Sequence, residues 1–106
     1  NITTIFGNAK EKILELEQAD VIFIGGTGGD TQKIVELSQT KLKSGGRIVI
    51  GTILIETLSA VLQILENLEF EEIDITQVTI SKSRKTSTGT MMLARNPVTI
   101  ISATKT

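Results

Sequence analysis

Residues 21–30 read Val21-Ile22-Phe23-Ile24-Gly25-Gly26-Thr27-Gly28-Gly29-Asp30. An unbroken apolar run closed by glycine is the pattern of a strand buried on both faces. The glycines form a loop, and Asp30 stands where it can cap a following helix. Ile34, Leu37 and Leu42 then recur near helical spacing. Gly45-Gly46 can end that helix, because glycine accepts the left-handed cap conformation. Residues 47–53 repeat the buried-strand pattern. Strand, glycine loop, helix, strand is the repeating unit of an α/β layer fold on a parallel sheet.

The pattern extends in both directions from this unit. Residues 2–6 are a short β-rich run ending at Gly7. Asn8 can cap a helix, with Glu11 in capping-box position and Ile13, Leu14 and Leu16 as its apolar face. Glu56-Thr57 opens a helix whose stripe is Leu58, Val61, Leu62, Leu65 and Leu68. Ile73, Ile75, Val78 and Ile80 form a strand whose apolar phase shifts between Ile75 and Val78, which predicts a bulge or bend there. Residues 82–89 read as a polar, basic loop. Residues 98–103 are a final strand, with Pro97 at its start, where no ladder hydrogen bond is lost. The last two strands follow without a helix between them, so an antiparallel pair is expected at one edge. Residues 1–106 make a single domain.

Composition removes several classes of function. Of the 106 residues, 40% are apolar and 22% charged, a balance that folds. Eleven Lys and Arg face twelve Asp and Glu, and the net charge of -1 lacks the basic excess of a nucleic-acid binder. There is no Trp or Tyr to stack on bases. With no Cys and no His, thiolate and imidazole chemistry, disulfides and ordinary zinc sites are excluded within the chain, and no metal site is expected. The apolar runs are far short of the roughly 20 residues of a membrane span. No leader pattern opens the chain, so a cytoplasmic location is expected. The first residue is Asn1 and not Met, which suggests a fragment or a processed product.

The glycine loop fails two phosphate motifs. No Gly-Lys pair exists for a P-loop, and in the dinucleotide fingerprint the third glycine position is Thr31. Two readings stay open: a tight strand-to-helix turn, or a backbone that must approach a bulky ligand closely. Glu56 either favours a helix N-terminus or serves a site just past a strand's carboxyl end. Lys82, Arg84, Lys85 and Arg95 are either a solvated basic loop or a clamp for a ligand with several carboxylates. Met91 and Met92 read as core or interface filler.

Four segments together carry a resemblance: residues 20–30 (DVIFIGGTGGD), 41–50 (KLKSGGRIVI), 54–57 (LIET) and 89–98 (GTMMLARNPV). In order and spacing they resemble the decarboxylating methyltransferase family of cobalamin biosynthesis, the precorrin-8w decarboxylase or cobalt-precorrin C-15 methyltransferase family. The Gly-Gly-Thr-Gly-Gly block and the Met-Met-x-x-Arg-Asn-Pro-Val block are its specific parts. The resemblance implies a class I methyltransferase, Rossmann-like sheet, of which this chain looks like the carboxyl-terminal half. The family's glycine loop after its first strand and the acid after its second have no counterpart here. The fragment alone is therefore expected to be inactive.

The resemblance further implies S-adenosylmethionine as cofactor, with Gly7, Asn8 and Ala9 against the adenine and Gly25, Gly26 and Thr27 beside the transferable methyl. It implies a tetrapyrrole substrate, a precorrin or cobalt-precorrin, with Arg84, Lys85, Arg95 and Asn96 toward its acid arms. The reaction would methylate ring carbon C-15 and remove carbon dioxide from an acetate arm. Glu56 is the one candidate for proton handling. Neither a nucleic acid nor a membrane partner is implied. The family's tetramer implies a homo-oligomer, with the last strands and Met91-Met92 at its interface. In the family's strand order, residues 21–24 would become an open edge in this chain, so self-association is expected. Two rival readings are a methyltransferase on another small molecule and a non-enzymatic α/β oligomerisation domain.

Overall fold

The computed structural model describes residues 2–5, 17–25 and 30–106. The expected helix at Asn8, together with Gly7 and Ala9, lies outside them. Strand β1 (Ile2–Ile5) and strand β2 (Ala19–Ile24) precede helix α1 (Thr31–Lys41) and strand β3 (Leu42–Thr52). Helix α2 (Ile55–Asn67), strand β4 (Glu71–Val78), strand β5 (Ser81–Lys85), strand β6 (Thr90–Ala94) and strand β7 (Val98–Thr104) complete the order.

One sheet runs β1-β2-β3-β7-β4 and a separate two-stranded ribbon is β5-β6. β1, β2 and β3 pair parallel, while β7 is antiparallel to both β3 and β4. The expected α/β sheet with an antiparallel pair at one edge is therefore present. Residues 21–24 are not an edge: β1 pairs along β2 from Ile2↔Val21 to Ile5↔Ile24, so both edges of β2 are occupied.

The core lies on one sheet face. Ile22 and Ile24 of β2, Ile48 and Ile50 of β3 and Ile101 and Ala103 of β7 pack with Ile34 and Val35 of α1 and Val61, Ile64 and Leu65 of α2. Leu58, Leu62 and Leu68 border the same cluster, so the stripe predicted for α2 is its buried face. β2 is not buried on both faces, since Phe23 is 39% exposed. Its side chain points away from the face on which α1 and α2 sit.

Two local expectations fail for physical reasons. The helix ends at Lys41, not at Gly45-Gly46. These glycines lie inside β3, which makes an excursion between its pairings Ala19↔Leu42 and Val21↔Arg47. Gly45 takes the left-handed conformation at φ 80°. The chain end closes this excursion: Gly45 N–H donates to Lys105 O and Lys105 N–H to Gly46 O, both at 2.8 Å. The Lys105 ammonium donates to Gln39 O at 2.7 Å and Leu42 O at 2.8 Å, satisfying carbonyls that the end of α1 leaves open.

The second failure is the bulge. It sits between Glu71 and Asp74, not between Ile75 and Val78. From Asp74↔Ser102 to Val78↔Val98 the ladder is regular. The apolar phase shifts because Ile75 shares the core face with Ile101, whereas Val78 shares the opposite face with Val98.

Helix α2 stops without glycine. Glu69 takes φ 62°, Phe70 N–H donates to Leu65 O and Glu69 N–H to Glu66 O, both at 3.0 Å. That is a Schellman cap, and Phe70 and Leu65 are buried beside it. A non-glycine residue in this conformation costs roughly 1 kcal/mol. Glu69→Gly should therefore stabilise the fold by about 1 kcal/mol, less glycine's added unfolded-state freedom. A raised denaturant midpoint at unchanged slope is the readout.

Candidate functional site

β2, β3 and β4 all end at one edge of the sheet, and antiparallel β7 begins there. Open α/β sheets bind ligands outside their carboxyl ends. Gly25 follows β2 at this edge, and apart from its chain neighbours no atom lies within 4 Å of where its side chain would begin, which leaves room for a ligand. Gly26 and Thr27 lie outside the described residues. Glu56 lies in the first turn of α2, exposed to solvent, just beyond the end of β3.

Beyond β4 the chain does not form the expected basic loop. Ser81–Lys85 pairs with Thr90–Ala94 as a hairpin, from Ser81↔Ala94 to Lys85↔Thr90. Its turn is held by Thr86, whose N–H donates to Gly89 O at 2.7 Å and whose Oγ1 accepts from Gly89 N–H at 3.2 Å. Polar strand residues hid this ribbon, since both of its faces meet water and no apolar alternation is needed. Every residue of both strands is exposed, Met91 and Met92 included, so neither is core filler.

At the hairpin's base an open cleft of about 470 Å3 is lined by Val78, Ile80, Lys82, Arg95, Asn96 and Val98. Arg95 N–H donates to Ile80 O at 2.9 Å, which pins the hairpin's exit to the end of β4. The cleft has apolar walls, two cations and an amide, and no carboxylate lines it. Among the described residues, ion pairs join Lys43 to Asp20 and Arg47 to Glu72, and none engages Lys82, Arg84, Lys85 or Arg95. Unpaired cations over an apolar floor suit a ligand carrying carboxylates on an apolar frame.

The register sorts the basic residues. Lys82 and Arg84 pair with Leu93 and Met91 and share one face of the ribbon. Lys85 pairs with Thr90 and points to the other face. Arg95 and Asn96 meet Lys82 in the cleft, while Arg84 stands one step out along the same face. The apolar walls Val78, Ile80 and Val98 are not among the site residues that the sequence suggests. Their signal was the phase shift along β4, which turns Val78 off the core face.

The model of the precorrin methyltransferase domain matches residues 1–105. The chain belongs to this family. The chain is 39% identical over 101 residues to the cobalt-precorrin-6B C(15)-methyltransferase (decarboxylating) of Methanothermobacter thermautotrophicus, covering 95% of this chain and 52% of that protein. It is 42% identical over 106 residues to the protein of the same name from Saccharolobus solfataricus, covering 99% and 53%. The solved structure of precorrin 8w decarboxylase from Methanobacterium thermoautotrophicum matches with a TM-score of 0.79 at 38% identity, over 97% of this chain and 55% of that one. The chain thus spans about half the length of the relatives it matches. The sheet also recurs in an S-adenosylmethionine-dependent O-methyltransferase of Thermotoga maritima at TM-score 0.64 and 19% identity, a likeness of fold alone. The fold is that of the class I methyltransferases. Among the described residues no helix is long and apolar enough to cross a membrane, and no acidic cluster is placed to hold a metal ion.

Proposed function

We propose that the protein carrying this chain is a decarboxylating, S-adenosylmethionine-dependent methyltransferase that acts on a precorrin or cobalt-precorrin at ring carbon C-15. The observation that carries the reading is the carboxyl-edge cleft, in which unpaired Lys82 and Arg95 and the Asn96 amide stand over Val78, Ile80 and Val98. A precorrin has a conjugated ring with acid arms around it. The cations hold the arms, and the aliphatic walls meet the arms' methylenes and the near rim of the ring. The cofactor, when bound, supplies an electrophilic methyl on a sulfonium. The chain's own part is placement: a nucleophilic ring carbon must lie in line with that methyl, and fixing this geometry supplies much of the rate. Gly25 leaves space for the methyl-donor side, with Gly7, Asn8, Ala9, Gly26 and Thr27 as its further contacts in this reading. When carbon dioxide leaves the acetate arm, its electron pair returns to the conjugated ring. Glu56, exposed at the same edge, is the group that would move a proton. Such a biosynthetic step goes with a cytoplasmic enzyme.

The test is the product of intact protein, cobalt-precorrin-6B and methyl-labelled S-adenosylmethionine. Mass spectrometry should find one labelled methyl gained and one carbon dioxide lost. A label transferred without decarboxylation, or no transfer, contradicts the reading.

The same reading has the enzyme work as a homotetramer assembled through the hairpin. The 64% exposure of Met92 on one face of the ribbon supports this, as do the exposed Met91 and Leu93 on the other, because large apolar side chains left in water favour association. Every residue of both hairpin strands is exposed, so the hairpin is free to reach another copy. Met92→Glu should lower the mass found by sedimentation. An unchanged mass would place the interface elsewhere.

A further inference from the structure

Ile53, Leu54 and Ile55 leave β3 in succession at the carboxyl edge, 59%, 56% and 80% exposed. Leaving three large aliphatic side chains in water forgoes the free energy of burying them. The local backbone is fixed: Leu54 N–H donates to Thr52 Oγ1 at 3.1 Å, and Leu54 O accepts from Leu58 N–H at 3.0 Å. The side chains are thus presented by a hydrogen-bonded strand-to-helix junction.

Their position decides what they can meet. Along the edge the strands follow as β2, β3, β7, β4. The aliphatic junction therefore lies between Gly25, at the end of β2, and the Lys82–Arg95 cleft, at the end of β4. Three strand spacings of about 4.8 Å separate those ends by roughly 14 Å. A ligand reaching both must be broad, apolar in its middle and anionic at one side.

We propose that Ile53-Leu54-Ile55 is a shelf for the flat face of the tetrapyrrole, with the ring's acid arms turned toward Lys82 and Arg95 and its reacting edge toward Gly25. The proposal rests on the substrate reading above and adds the ring's orientation to it. Glu56, next to the shelf in the first turn of α2, is a carboxylate. It repels acid arms, which favours the ring face on the shelf and the arms at the ring's far rim in the cleft.

The test uses the intact protein and cobyrinic acid, a corrin ring with free carboxylates, as probe. Ile55→Gln should weaken cobyrinic acid about tenfold, the scale of one large aliphatic contact. S-adenosylhomocysteine affinity, circular dichroism and sedimentation mass should not change. Ile55→Met should restore most of the affinity. If wild type binds cobyrinic acid and Ile55→Gln binds it equally well, the shelf is wrong and the substrate reading stands. If wild type binds S-adenosylhomocysteine but not cobyrinic acid, the substrate reading fails and takes the shelf with it. A change of mass in Ile55→Gln would show a contact between copies and overturn the shelf.

Discussion

Arg95→Ala in the intact protein should weaken a carboxylated corrinoid about thirtyfold, on the order of 2 kcal/mol, and leave S-adenosylhomocysteine binding unchanged. Arg95 lines the cleft with Lys82, and among the described residues it is not ion-paired, so its charge is available to a ligand. A guanidinium offers a planar pair of donors that matches a carboxylate, which a single ammonium cannot replace. An exposed ion pair is worth little in water. The larger figure applies because a bound macrocycle would cover the cleft and exclude water from the pair. Arg95→Lys should recover only part of the loss. The backbone contact of Arg95 N–H with Ile80 O is kept in both variants, so the hairpin's exit stays pinned. Equal losses for both ligands would point to misfolding and away from a carboxylate contact. Lys85→Ala serves as the internal control, since its side chain points to the other face of the ribbon.

Gly46→Ala should destabilise the fold by about 3 kcal/mol, a large effect for a single methyl group. A Cβ at Gly46 would lie 2.8 Å from Lys43 O, 2.9 Å from Asp20 O and 3.1 Å from Leu42 Cδ2. Two of these are backbone oxygens, one of them on β2, so relief requires moving β3 relative to its neighbour. The excursion is also tied to the chain end through Gly45 and Lys105, which leaves it little freedom to shift. Gly89→Ala is the matched control. Nothing lies within 4 Å of its would-be Cβ, and its change should stay within about 0.5 kcal/mol. Denaturant unfolding of both variants checks the pair. A neutral Gly46→Ala would mean that the excursion of β3 is free to open.

These two glycines show what was legible in the sequence. Gly46 looked like a helix stop because residues 31–42 have helical spacing and glycine commonly ends helices. What requires glycine there is the approach of Asp20 O from another strand, which no local pattern encodes. The strands built on Ile22 and Ile48 were legible because burial imposes apolar runs. Helix α2 was legible because one face of it is buried and carries a period. The hairpin was not, since Ser81-Lys82-Ser83-Arg84-Lys85 buries nothing and so carries no period. The cap at Glu69 was hidden because the left-handed residue is not glycine. At the site, Lys82 and Arg95 are legible from their charge, and Asn96 only through the resemblance. Their common cleft follows only from the register of β4 against β7. Gly26, Thr27, Asn8 and Ala9 lie outside the described residues, so the site is described on the side of β4 and β7.

A crystal structure of the intact protein with S-adenosylhomocysteine and cobyrinic acid tests the central claim most directly. The corrin ring should lie at the carboxyl edge, against Ile53-Leu54-Ile55, with at least one carboxylate within hydrogen-bond distance of the Arg95 guanidinium or the Lys82 ammonium. A ring bound elsewhere, or bound with its carboxylates in solvent and the cleft empty, would contradict it.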